Sequence, residues 1–167
     1  MLDKINFLKT ELNLLCKELD ERQPGNWGKM NAQQMLEHVS DFFNVSTEKI
    51  KFPLVTPEEH LPKYREFLFS DKEFRENTKA PESVLGEEPM PLRTKSMDAA
   101  KDYLNKSVAN FFAFFEEDPQ RKTIHPVFGP LNFEEWVLLH YKHVHHHVRQ
   151  FTSPPSIPSP PAPLHGV

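Results

Sequence analysis

The chain has 167 residues, 38% of them hydrophobic and 26% charged, which fits one soluble globular domain with a core of its own. Its 20 basic and 24 acidic residues leave a net charge of −4, with no Lys/Arg run interleaved with aromatics, which argues against a nucleic-acid partner. A single cysteine excludes an internal disulfide and a thiolate-rich zinc site, and the absence of a signal-peptide pattern or of about 18 consecutive apolar residues gives the expectation of a cytoplasmic protein without membrane contact.

From the N-terminus, Leu2, Ile5, Leu8, Leu12, Leu15 and Leu19 recur three and four apart, which predicts one helix over 2–22 with a single buried face. Cys16 lies among these leucines and reads as a core residue. "QPGNWG" breaks the pattern, and Asn31 is placed to cap a second helix running to about Lys49, with Ala32, Met35, Leu36, Val39, Phe42 and Phe43 as its apolar positions. From Phe52 to Lys95 six prolines interrupt the pattern and leave room only for short helical pieces such as 58–69, so this is a long connection of the kind that often carries function. Ser96 or Asp98 opens a third helix that ends before Asp118-Pro119, "TIHPVFGPLN" is a turn, and Asn132 with Glu135 starts a fourth helix through Phe151 as a capping box.

Four long amphipathic segments without a convincing alternating strand predict an all-α four-helix bundle, with the long connection between helices 2 and 3. Residues 1–151 form the expected domain. The ending 152–167, "TSPPSIPSPPAPLHGV", holds too many prolines for a helix and reads as an extended or disordered tail.

The last helix carries "HYKHVHHHVRQF", five histidines in eight positions. At about 100° per residue, His140, His143 and His147 fall in one stripe with Trp136 at the edge of the apolar arc, while His145 points nearly opposite and His146 sits to the side. His143 and His147, one turn apart, can offer two imidazole nitrogens to one ion. The same projection puts His38 at the edge of the apolar arc of the second helix, which makes it the candidate third ligand. Three neutral imidazoles with an open fourth position are the usual holder of a catalytic zinc or related divalent ion; the competing reading is a set of hydrogen-bonded core histidines. Asp41, one turn after His38, and Gln150, just beyond His147, are candidates to orient the rings. His140 is open between a further ligand, a proton shuttle and a buried donor, and His125 between approaching the site and stabilising its turn.

"GNWGKMNAQQMLEHVSDFF" followed by "HPVFGPLNFEEWVLLHYKHVHHHVRQF" resembles the DinB/YfiT-like superfamily of metal-binding four-helix bundles, in a subfamily without assigned function, over roughly residues 1–151. In that resemblance one histidine comes from the second helix and an H-x-x-x-H pair from the last, matching His38, His143 and His147. The resemblance implies a divalent metal, with zinc or nickel usual. It also implies, for several members, transfer or isomerisation chemistry using a low-molecular-weight thiol, and often a homodimer. The expectation is a metal-dependent enzyme that activates a thiol or water toward a small electrophilic substrate, as a thiol transferase or hydrolase. The alternatives are a non-catalytic metal- or ligand-binding bundle and a metal-free histidine pH sensor.

Overall fold

A computed structural model of the chain describes residues 1–21, 23–86 and 88–152. The proline-rich tail expected from residue 152 onward therefore lies outside the described residues apart from Thr152. Among the described residues the protein is mostly helical, with one two-stranded hairpin, and no helix is long and apolar enough to cross a membrane.

The first helical stretch is continuous but not uniform: α1 (Leu2–Asn6) passes into a π-helical turn over Phe7–Glu11 and then into α2 (Leu12–Lys17). A π turn takes more residues than an α turn and so rotates everything that follows it. This is why Phe7, Leu8, Leu12 and Cys16 form the buried stripe while Leu15, expected inside, is exposed; Leu2, also expected inside, is exposed at the first residue of the helix. Burial also pushes the Cys16 thiol up to about 12, consistent with an inert core residue. The helix stops at Lys17 rather than near residue 22, where Glu18, Asp20 and Glu21 would crowd carboxylates at the negative end of the helix dipole.

Helix α3 (Ala32–Ser46) begins with the expected cap: the Asn31 side chain accepts from Gln34 N, and Gln34 reaches back to Asn31 N. It ends three residues earlier than expected, with Glu48 in a left-handed conformation (φ 57°) just beyond. Helix α6 (Met97–Glu117) is capped by Ser96, and α7 (Phe133–Phe151) by Asn132 and Glu135 in a second capping box. α3 packs against α6 and α7, and the N-terminal helical stretch packs against the same two helices from its own side. Met35, Leu36, Val39 and Phe43 of α3 meet Leu104, Phe111 and Phe115 of α6 and Trp136, Val137 and Val144 of α7 in one core.

Between α6 and α7, where a turn was expected, β1 (Thr123–His125) and β2 (Gly129–Leu131) form an antiparallel hairpin with His125 opposite Gly129. Three-residue strands are too short for alternation to reveal them. The long connection holds a 3-10 turn (Glu58–His60), α4 (Leu61–Phe69) and α5 (Glu82–Leu85). Its first half lies along α7: Lys142 Nζ donates to Ser70 O (2.6 Å) and Lys72 O (2.5 Å), Arg149 pairs with Glu73 (2.7 Å), and Arg65 pairs with Glu135. Its second half returns to α3, where the buried Glu37 carboxylate accepts from Arg93 N, Thr94 N and Thr94 Oγ1. Burial alone would raise the Glu37 pKa, but these hydrogen bonds and the Arg93 charge hold it below the ordinary value.

Candidate metal centre

α3 and α7 face each other so that His38 stands against His143 and His147. His38 Nε2 lies 3.0 Å from His143 Nε2, and His147 Nε2 lies 3.1 Å from the same atom. The three ligand atoms all fall within 4.8 Å of one another. His38 and His143 are half-buried and His147 is buried, so the cluster sits at the margin of the core. Four-coordinate zinc with Zn–N of about 2.0–2.1 Å needs nitrogens about 3.3 Å apart, close to the two spacings found.

The rings are held in the form an ion needs. Burial depresses the His38 pKa to about 4, and burial together with the neighbouring imidazoles takes His143 and His147 well below 6.5, so all three are neutral at neutral pH. Gln150 sets the tautomer of His147. Its Nε2 donates to Trp27 O (2.6 Å), which turns its Oε1 toward His147 Nδ1 at 3.0 Å. Nδ1 therefore carries the proton, and the Nε2 lone pair faces the cluster. On the other side, the ring of Phe42 stacks on His143 at 4.0 Å and restricts its rotation.

Gln150 is in turn gripped by the loop between the first helix and α3, a part of the site that periodicity could not reveal. Asn26 N donates to Gln150 O (2.7 Å), and Asn26 Nδ2 donates to Thr152 O (2.8 Å), so the loop caps the end of α7. Gly28 adopts φ +77°, and a Cβ there would lie 2.6 Å from Gln150 Nε2. The backbone conformation favours glycine, and any Cβ there would push the Gln150 amide away from Trp27 and His147. The "GNWG" motif was the only sequence signal of this contact.

The other candidates take different places. His140 does not join the cluster: it is fully buried, stacked on Phe43 at 3.9 Å, with Nε2 3.0 Å from Ser46 Oγ. Asp41 does not orient His38 by a hydrogen bond; it accepts from Arg93 (2.6 Å) and Tyr103 Oη (2.9 Å), and acts on His38 only through its charge. His125 stabilises its own turn, with Nδ1 accepting from Val127 N (3.0 Å) and Phe128 N (3.1 Å). His145, expected in solvent, is half-buried between Phe7 and Tyr141. His146 is buried beside His147, with Trp27 and Phe74 as further ring neighbours, because the 70–76 stretch covers that side of α7.

Among the described residues, the three histidines form a group that could hold a metal ion, and no side chain of a fourth His, Cys, Asp or Glu is part of it. The donor set fits a borderline divalent cation, because three neutral imidazoles supply nitrogen and no charge. A family model described as the DinB superfamily matches residues 11–151 of the chain. No curated protein and no solved structure gives a match.

Proposed function

The chain belongs to the DinB superfamily, and from that premise we propose that it is a divalent-metal-dependent enzyme acting on a small electrophilic substrate. His38, His143 and His147 would hold the ion through their Nε2 atoms. The observation that carries this reading is the convergence of three neutral imidazole nitrogens at 3.0 and 3.1 Å. The domain is read as residues 1–151 in a four-helix bundle made by the N-terminal helical stretch, α3, α6 and α7, which the pairwise packing of these elements supports.

When bound, the ion supplies a Lewis acid that lowers the pKa of a thiol or water at its open position and so makes a nucleophile near neutral pH. The chain's own residues prepare that chemistry. Gln150 keeps the His147 proton on Nδ1, Phe42 limits rotation of His143, and burial keeps all three rings unprotonated. Cys16 does not take part, since its thiol is buried and its pKa is raised. The thiol of the reaction would therefore be an external, low-molecular-weight one, or water would take its place. Zinc and nickel are the proposed ions, and a homodimer is the proposed assembly.

The test is turnover. Zinc- and nickel-loaded protein should consume a model electrophile in the presence of one member of a panel of low-molecular-weight thiols, or hydrolyse an activated ester, and a chelator should stop it. An ion-loaded protein that turns over none of these would count against catalysis and leave a metal-binding helical protein.

A further inference from the structure

Three buried ring nitrogens on α7 have no hydrogen-bond partner among the described residues, His140 Nδ1, His143 Nδ1 and His146 Nδ1, and the first two lie on the side that faces α3. Those two are not equivalent, and the difference makes them complementary. Ser46 Oγ donates its only proton to Phe43 O (2.6 Å), so toward His140 Nε2, 3.0 Å away, it can only accept. His140 therefore carries its proton on Nε2, and its Nδ1 is a bare lone pair. His143 is the reverse. Its Nε2 is directed at His38 and His147, so when that nitrogen holds an ion its proton must sit on Nδ1.

A buried acceptor without a donor and a buried donor without an acceptor thus lie one turn apart on the same helix. Both rings rest on Phe42, His143 stacked on its face at 4.0 Å and His140 edge-on at 5.2 Å. The face of the His140 ring packs against Phe43, with Phe111 and Trp136 as further ring neighbours, and His125 is the other imidazole close enough to act on it through its charge, while Nδ1 itself has no hydrogen bond. An internal water needs polar partners in an otherwise enclosed site, and these two nitrogens supply a donor and an acceptor.

We infer that His140 is a positioning residue for the metal centre: its Nδ1 receives the Nδ1–H of His143 through one internal water, and Ser46 fixes His140 in the tautomer that can do so. The inference rests on the proposed ligation by His38, His143 and His147. It assigns Ser46, at the end of α3, to the far end of a chain that runs from the Phe43 carbonyl to Ser46, His140, His143 and the ion. His143 is thereby oriented from the α3 C-terminus, as His147 is oriented by Gln150 from the other end of the site.

The tautomers can be read directly by nitrogen-correlated NMR of the imidazole rings in zinc-loaded full-length protein. The expected result is a proton on Nε2 of His140 and on Nδ1 of His143. Zinc affinity, measured by competition with a chelator, separates this role from simple packing. His140→Asn keeps an acceptor near the Nδ1 position and should bind zinc within about threefold of wild type, whereas His140→Gln reaches Ser46 but offers nothing at Nδ1 and should bind roughly 10-fold or more weakly. Equal affinity of the Gln variant and wild type, or equal losses in both variants, would overturn the inference. So would a His140 proton found on Nδ1 in the wild type, a measurement that needs no variant to fold. A wild type that binds no ion overturns the underlying ligation and this inference together, while normal zinc binding with the wrong tautomer overturns this inference alone.

Discussion

On the side of α7 that faces α3, polar side chains meet polar side chains: His143 and His147 against His38, and His140 against Ser46. On the side that faces the 58–76 stretch, polar side chains meet backbone carbonyls and single opposite charges: Lys142 on Ser70 O and Lys72 O, Arg149 on Phe74 O, and Glu135 with Arg65. Both sides bury polar groups, yet the chemistry differs. The α3 side leaves ring nitrogens directed at one another, which is costly without a shared cation or proton. On the other side Lys142, Arg149 and Glu135 find their partners within the chain, and these bonds fix the connection in place, although His146 Nδ1 is left without one.

That contrast breaks most sharply at His143. His143→Ala should remove the bound divalent ion, from about one per chain to none detectable after dialysis, while the circular dichroism of a folded helical protein persists. A variant that keeps its ion would show that His143 is not a ligand. The next effect is expected at Gly28, where a Cβ would displace Gln150 and free His147 to turn. Gly28→Ala should weaken metal affinity by roughly 10- to 100-fold, the usual cost of losing an outer partner of a ligating histidine. An unchanged affinity would mean that Gln150 does not orient the ring.

The opposite side answers in stability rather than in metal. Lys142→Met keeps an unbranched side chain but removes the ammonium that stands 5.0 Å over the Phe67 ring and leaves the Ser70 and Lys72 carbonyls without their donor. Its thermal or urea unfolding should show a loss of about 1–3 kcal/mol, with metal content unchanged. A loss of metal in this variant would erase the distinction between the two sides.

The effect that is smallest at neutral pH belongs to the acid limb of stability, at His125. Its ring contacts Phe42, Phe128 and Trp136, none of them charged, and burial depresses its pKa from 6.5 to about 3. Between those two values the unfolded chain binds the proton that the folded chain refuses, so this contribution to stability is full above pH 6.5 and is lost as pH falls toward 3. His125→Asn can keep an acceptor for Val127 N and Phe128 N but cannot titrate in this range. Its stability should fall less steeply with acid than that of the wild type, by a slope equivalent to about one proton; an identical slope would show that His125 is not held neutral.

The α3 side was legible in the sequence because two caps, Asn31 and Asn132, fix where each helix starts, and helical periodicity then fixes which residues share a face. His38, His143 and His147 follow from that alone, and Gln150 follows from its position just beyond His147. The same reasoning fails in the first helix, where the π turn shifts the phase between Ile5 and Leu12 and turns Leu15 outward. It does not reach the burial of Lys142, Glu135 and His146, which comes from an irregular, proline-broken connection whose path periodicity cannot trace. Periodicity describes one element at a time, and the partners of Gln150 at Trp27 and Gly28 belong to a loop that only the tertiary fold brings to the end of α7.

The central claim is that three imidazole nitrogens from α3 and α7 share one divalent ion. X-ray absorption at the zinc edge of the zinc-loaded full chain measures it most directly. The expected result is one zinc per chain, with three imidazole nitrogens at about 2.0–2.1 Å and one oxygen ligand from solvent. A chain that takes up no zinc, or a shell built from carboxylate oxygen without imidazole nitrogen, would contradict it.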